Sequence, residues 1–242
     1  MIEVRALRKS FDDKEVLRGI DAVFNPGECS LIIGKSGAGK TVLMKCLVGL
    51  EIPDSGEVLY SGRSLHRMSG RQITGLRTEM GMLFQNSALF DNMTLFENVM
   101  FPLEMFSNQK SAERKARVKE CLTRVQLWDA RYKLPNEISG GMKKRGAIAR
   151  AIALSPRYLF CDEPTSGLDP ETGKVIDILL LEITRENGIT TVINTHDMNS
   201  VNNIGDKVIF IHNGEKNWEG KGKEIENTTN ELLKNFVFIS RL

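Results

Sequence analysis

The sequence predicts an α/β fold: a mainly parallel central sheet, an antiparallel β-subdomain at the N-terminus and a helical insertion. Three observations carry this. Short apolar strands and helical patterns alternate through residues 29–60 and again through 158–218. The first 30 or so residues instead alternate apolar runs with polar turns, as antiparallel strands do. Residues of about 86–155 hold two helical patterns and no clear strand.

Taken in order, Cys29–Ile33 reads as a buried strand, and a glycine-rich segment follows it. A helix then places Leu43, Leu47 and Leu50 on one face. Glu57–Tyr60, stopped by Ser61-Gly62, reads as an edge strand. In the insertion, Val118, Cys121, Leu122 and Val125 recur at helical spacing, and Glu120 and Arg124 are placed to pair at i, i+4. Ser139 is a good N-cap for a helix running to Leu154. The α/β alternation resumes with the strand Tyr158–Cys161. Pro170 then suits the first position of a helix facing inward through Val175, Leu179, Leu180 and Ile183. Thr190–Asn194 is a β-branched strand. Asn213-Gly214 marks a tight hairpin between Lys207–Ile211 and Lys216–Trp218.

Composition mainly excludes. With 242 residues, 41% hydrophobic and 26% charged, the chain has the globular average and enough length to fold without staples. A net charge of +2 does not favour nucleic acid as a partner. Lys143, Lys144 and Arg145 read as a solvated helix face. No apolar run reaches the ~20 residues of a membrane span, and the N-terminus lacks a signal-peptide stretch. Cys29, Cys46, Cys121 and Cys161 form no CxxC pair, which points to reduced thiols in the cytosol. His66 and His212 have no metal-ligand spacing. One stretch is uneven: residues 80–106 hold five of the ten Met and five of the eleven Phe. Such a surface adapts to partners, or it is core.

Gly34-Lys35-Ser36-Gly37-Ala38-Gly39-Lys40-Thr41 matches GxxxxGK[ST] between a strand and a helix, which makes the core that of a P-loop NTPase. The glycines let successive N–H groups face one anion, and the helix starting near Gly39 adds its positive end. Lys40 is suited to the β- and γ-phosphates and the Thr41 hydroxyl to Mg²⁺. Asp162 and Glu163 follow a buried strand, where one carboxylate can reach the metal and the other can polarise a water.

The wider run Tyr158–Pro170 resembles the Walker B and D-loop of ATP-binding cassette ATPases. Ile138-Ser139-Gly140-Gly141-Met142 resembles their signature motif. Gln85 looks like the Q-loop residue, His196 like the switch histidine and Phe11 like the aromatic that stacks on adenine. The motifs run in the family's order over nearly the whole chain. The resemblance implies one nucleotide-binding domain over 1–242, with a helical subdomain at about 86–155. It implies that Phe11, Gly34, Ser36, Gly37, Ala38, Gly39, Lys40, Thr41 and Val42 bind ATP. Ser139, Gly140 and Gly141 would complete the site of an opposite subunit, with Asp169 at the seam of a homodimer. Glu163 would be the general base, His196 would orient the water, and Thr41, Gln85 and Asp162 would surround Mg²⁺.

Met142 departs from the family's usual Gln, and a thioether is only a weak acceptor. Together with Lys143-Lys144-Arg145 it resembles the ATPases of Mla-type, Mce-linked phospholipid transporters. That resemblance implies an integral membrane permease docking near 80–106 and a Mce-type substrate-binding protein. It also implies a peripheral place on the cytoplasmic face of the inner membrane. Iron–sulfur assembly and cell-division signalling remain as non-transport alternatives.

Overall fold

The computed structural model describes residues 1–240. Strands β1 (Ile2–Phe11) and β2 (Lys14–Phe24) form an antiparallel hairpin, and β3 (Cys29–Ile33) leads into the glycine-rich loop. Helix α1 (Lys40–Leu47) follows, then β4 (Ser55–Tyr60), β5 (Arg63–Ser64), α2 (Gly70–Thr78) and β6 (Met80–Leu83). Three helices separate β6 from the next strand: α3 (Leu95–Phe106), α4 (Ser111–Arg124) and α5 (Gly140–Ala151). The chain then alternates β7 (Tyr158–Asp162), α6 (Pro170–Asn187), β8 (Thr190–Asn194) and α7 (Met198–Ile204). The hairpin β9 (Lys207–His212) and β10 (Glu215–Gly220) precedes α8 (Glu231–Ser240).

The strands form an antiparallel sheet ordered β2-β1-β4-β5 and a central sheet ordered β10-β9-β3-β8-β7-β6. In the central sheet β9 to β6 run parallel, and only the edge strand β10 is antiparallel. Strand periodicity divides the core in two. Leu31, Ile33, Leu159, Cys161 and Ile193 face a cluster with α3–α8. Ile32, Phe160, Val192 and Ile209 face a second cluster with α1 and the antiparallel sheet. Each fully buried aliphatic or aromatic side chain contributes about 1.5–3 kcal/mol. All four cysteines are free and buried. Burial pushes the Cys29 thiol up to about 12, those of Cys46 and Cys121 to about 11, and that of Cys161 higher still.

Several expectations change. α1 ends at Leu47, and Leu50 lies beyond it, 58% exposed. The left-handed Gly49 (φ 71°) breaks the helical spacing between them. β4 is not the outermost strand, because the two-residue β5 pairs with it. α5 stops at Ala151 rather than reaching Leu154. Val175 is 49% exposed and Ile176 takes its place in the core. Glu120 pairs with Arg117, while Arg124 crosses to Glu182 and Glu186 on α6. A long cation meets two acids there instead of one, so the tertiary contact wins over the local one. In the C-terminal apolar run Leu233 and Phe236 are buried, whereas Leu232, Phe238 and Ile239 are exposed.

The Met and Phe stretch also divides. Met100 is buried, Phe96 packs against the core, and Phe84, Phe90, Met105 and Phe106 are exposed. Half of its Met and Phe residues belong to α3, a helix the sequence pattern hides: apolar residues surround it and Pro102 interrupts it. A capping box defines its start, Thr94 accepting from the Glu97 N–H at 3.2 Å and Glu97 from the Thr94 N–H at 2.7 Å. Asn98, fully buried, staples the preceding loop. Its Oδ1 accepts from the Phe90 N–H at 2.8 Å, and its Nδ2 donates to the carbonyls of Phe90, Met93 and Thr94 at 3.0–3.1 Å. Asn98→Ala strands these backbone groups. The expected cost is roughly 2–4 kcal/mol, read as a lower urea midpoint, with faster amide exchange of the Phe90 N–H.

Candidate active site

The phosphate loop joins β3 to α1 and is fixed by two close approaches. A Cβ at Gly34 would meet the Ile211 carbonyl at 2.3 Å, and one at Gly39 would lie 2.9 Å from Leu17. Gly39 caps α1 at φ 109°, a conformation that glycine adopts without steric cost. Lys40 Nζ donates to the carbonyls of Gly34 at 2.7 Å and Lys35 at 3.2 Å, bracing the loop from inside. Burial pushes its ammonium below the usual lysine range, opposed by Glu163 and Asp162.

A cavity of about 900 Å³ opens over this loop. Gly34, Ser36, Gly37, Gly39, Lys40, Thr41 and Val42 line it, facing Gln85, Asp162, Glu163 and His196. The latter four come from the ends of β6, β7 and β8. Asp162 Oδ1 accepts from Asn194 Nδ2 at 3.2 Å, and Glu163 Oε2 lies 2.8 Å from His196 Nδ1. Glu163 sits in the left-handed region, at φ 49°. Gln85 Nε2 is 3.5 Å from Ser166 Oγ. The hydroxyl, amide and carboxylate oxygens of Thr41, Gln85 and Asp162 are hard donors, which suits Mg²⁺.

Other expected residues lie elsewhere. Ala38 lines no part of the cavity; its N–H donates to the Lys35 carbonyl at 3.1 Å and its methyl is buried. Phe11, 41% exposed, sits under Lys9 at the hairpin tip, and the cavity wall there is Lys14 and Val16. Ser139, Gly140 and Gly141 are also outside it. Ser139 caps α5, accepting from the Met142 N–H at 3.3 Å. The start of α5 meets that of α6, where a Cβ at Gly141 would lie 2.6 Å from Thr172. Asp169 caps α6, and the Thr172 hydroxyl and N–H hold its carboxylate below the usual range. Phe236 and Ile239 of α8 line the cavity without any motif to announce them.

The basic run is not a solvated face. Lys144 is 4% exposed and donates to the carbonyls of Gln85 and of Glu163, the latter at 3.2 Å. Arg145 donates to the Val125 carbonyl at 3.2 Å. Three consecutive cations signal a surface by base rate, yet helical spacing turns the middle one inward.

A family model described as ABC transporter matches residues 17–166. This chain belongs to the ABC transporter family. It is an ATP-hydrolysing cassette. It is 43% identical over 214 residues to a methionine import ATP-binding protein of Clostridium acetobutylicum, covering 88% of this chain and 67% of the relative. A second such protein, of Carboxydothermus hydrogenoformans, is 42% identical over 98% of this chain and 71% of its own. Among solved structures, a component of a Clostridium perfringens ABC transporter complex matches at TM-score 0.86 with 30% identity, covering 98% of both chains. A dimeric ATP-binding cassette with ADP and Pi matches at 0.82 with 31% identity, covering 91% of this chain and 98% of that one.

In this cassette the His196 loop leads into α7, which packs on α6 around Asp177. Asn203 Nδ2 donates to Asp177 Oδ2 at 3.4 Å, and Oδ1 is buried without a partner. Burial pushes the Asp177 carboxyl up to about 6, a rise that Ser200 and Asn203 moderate. A folded-state value above the unfolded one gives stability that is complete below the unfolded value, 3.8. It is lost as the pH rises through 6. Asp177→Asn removes the burial of a carboxylate. It should therefore gain on the wild type by on the order of 2–3 kcal/mol between pH 4 and pH 8, measured as denaturation midpoints across that range.

Proposed function

We propose that this chain is the ATPase subunit of a membrane import complex, and the observation that supports this most is the Glu163–His196 pair facing the phosphate loop across one cavity. Residues 1–242 serve as one nucleotide-binding domain, with about 86–155 as its helical subdomain. Backbone N–H groups of Gly34–Val42 and the start of α1 take the phosphates, and Lys40 swings from its loop carbonyls to a phosphate oxygen. The Phe11 region supports the base. Glu163 accepts the proton of the attacking water, and His196 holds the carboxylate and the γ-phosphate in line. Mg²⁺, held by Thr41, Gln85 and Asp162, would neutralise developing phosphate charge.

Ser139, Gly140 and Gly141 stand apart from their own chain's cavity, which supports their use in the site of a second copy. Two copies then close on ATP, with Asp169 at the seam, and part after hydrolysis. No helix among the described residues is long and apolar enough to cross a membrane, so a permease would supply the span. Its docking place is a groove of about 500 Å³ lined by Asn92, Met93, Phe96, Glu97, Met100 and Phe101, with Arg114 and Lys115 opposite. An apolar helix with a polar rim suits this groove. The subunit is then peripheral on the cytoplasmic side.

For cargo, the two named relatives support methionine. Neither is a phospholipid system, so the expectation built on Met142–Arg145 loses that support, and the Mce-type partner with it. Cargo never touches this subunit in the proposed arrangement, so the permease decides. Purifying the assembled complex and measuring uptake into proteoliposomes separates the cases. Methionine-stimulated ATP turnover with methionine uptake supports the reading, and movement of phospholipid in its place overturns it.

For the chemistry, Glu163→Gln should keep ATP affinity within about threefold and lower turnover by about 100-fold or more. Wild-type turnover in that variant would remove Glu163 as the base. Lys40→Ala should weaken ATP binding itself by about 10- to 100-fold, because it deletes a charge-assisted contact. Equilibrium binding of a fluorescent ATP analogue checks the affinity of both variants, and phosphate release checks the turnover of Glu163→Gln.

A further inference from the structure

We infer that Lys144 is a positioning residue for hydrolysis: its one ammonium group holds the backbone carbonyls of Gln85 and Glu163 together and ties both to the helix that begins at Ser139. The inference rests on Glu163 being the general base.

Lys144 is an unusual core residue. It is 4% exposed, and among the described residues it enters no ion pair. Taking an ammonium out of water costs several kcal/mol, and neutral carbonyls repay that less well than a carboxylate would. Burial accordingly pushes its pKa below the usual lysine range, while Cys161, Glu163 and Asp162 pull the other way. Filling space alone would suit a leucine or methionine better. What the ammonium has that they lack is several donors on one atom.

The carbonyls it holds belong to the two segments that most need holding. Glu163 is a non-glycine residue at φ 49°, a sterically unfavourable conformation that persists only under constraint. Its N–H donates to the Asn194 carbonyl at 2.9 Å. Its own carbonyl accepts from the Ser166 N–H at 3.2 Å and from Lys144 at 3.2 Å. Rotating that peptide would swing the Cα–Cβ bond and carry the carboxylate away from His196, now 2.8 Å from it. Gln85 lies just past the end of β6 with its own side chain exposed, and Lys144 donates to its carbonyl. A displacement of α5 relative to the central sheet therefore pulls on the base and on the loop after β6 through the same atom.

The test uses the full chain with Lys144→Met, which keeps length and removes the donors. Lys144→Arg restores charge and donors, and Lys144→Gln is a neutral donor. ATP affinity, kcat, KM and Tm are measured for each, beside Glu163→Gln. For Lys144→Met, kcat should fall about 10- to 100-fold, as for a displaced catalytic group, with ATP Kd within about threefold. Lys144→Arg should recover kcat to within about threefold of wild type. A kcat within twofold of wild type in Lys144→Met overturns the inference. So does a parallel loss of Tm, ATP affinity and kcat that Lys144→Arg does not relieve, because a packing role has no reason to spare binding. Where Lys144→Met does not fold, the same criteria apply to Lys144→Leu, which likewise has no donor. Normal turnover in Glu163→Gln sinks the base assignment and this inference together. An inactive Glu163→Gln beside a fully active Lys144→Met sinks this one alone.

Discussion

Parallel pairing of β3, β8, β7 and β6 is the constraint on which the rest depends. Ile32 stands opposite Asn194, Asn194 opposite Asp162, and Leu83 opposite Cys161. Those registers bring the phosphate loop, Asp162–Glu163, His196 and Gln85 to one edge of the sheet, though they are far apart in sequence. A slip of one residue in any pair would exchange its core faces, and both faces are fully covered. The site is thus held by the same burial that holds the fold.

Strands and motifs were legible in the sequence for this reason. A strand buried on both faces shows as a short apolar run, and loops at its end can carry chemistry without disturbing it. β3, β7 and β8 were accordingly found nearly to the residue, and the hairpin at Asn213-Gly214, both at positive φ, was also clear. α3 was not legible, because a helix apolar on several sides and broken by Pro102 has no single stripe to detect. Val175 was placed one position off the buried face, where Ile176 belongs.

The inward role of Lys144 was hidden by its neighbours. Nothing in a triplet of cations tells which one turns toward the core. Nor does sequence say that two backbone carbonyls, 59 and 19 residues away, wait for it. Cavity contacts from Lys14, Val16, Phe236 and Ile239 were invisible for a related reason: they follow from tertiary placement of ordinary residues. Phe11 shows the converse case, a residue found by resemblance that rests beside the cavity rather than in its wall.

The four buried thiols have a practical bearing. Each is pushed well above the ordinary range for cysteine, so the reactive thiolate is scarce at neutral pH and shielded where it forms. A cysteine introduced on an exposed position would then be the one nucleophile that a maleimide spin label or dye finds. The chain is in effect already a cysteine-light scaffold. Distances between the helical region and the phosphate loop can be followed through a nucleotide cycle without first deleting native residues from its core.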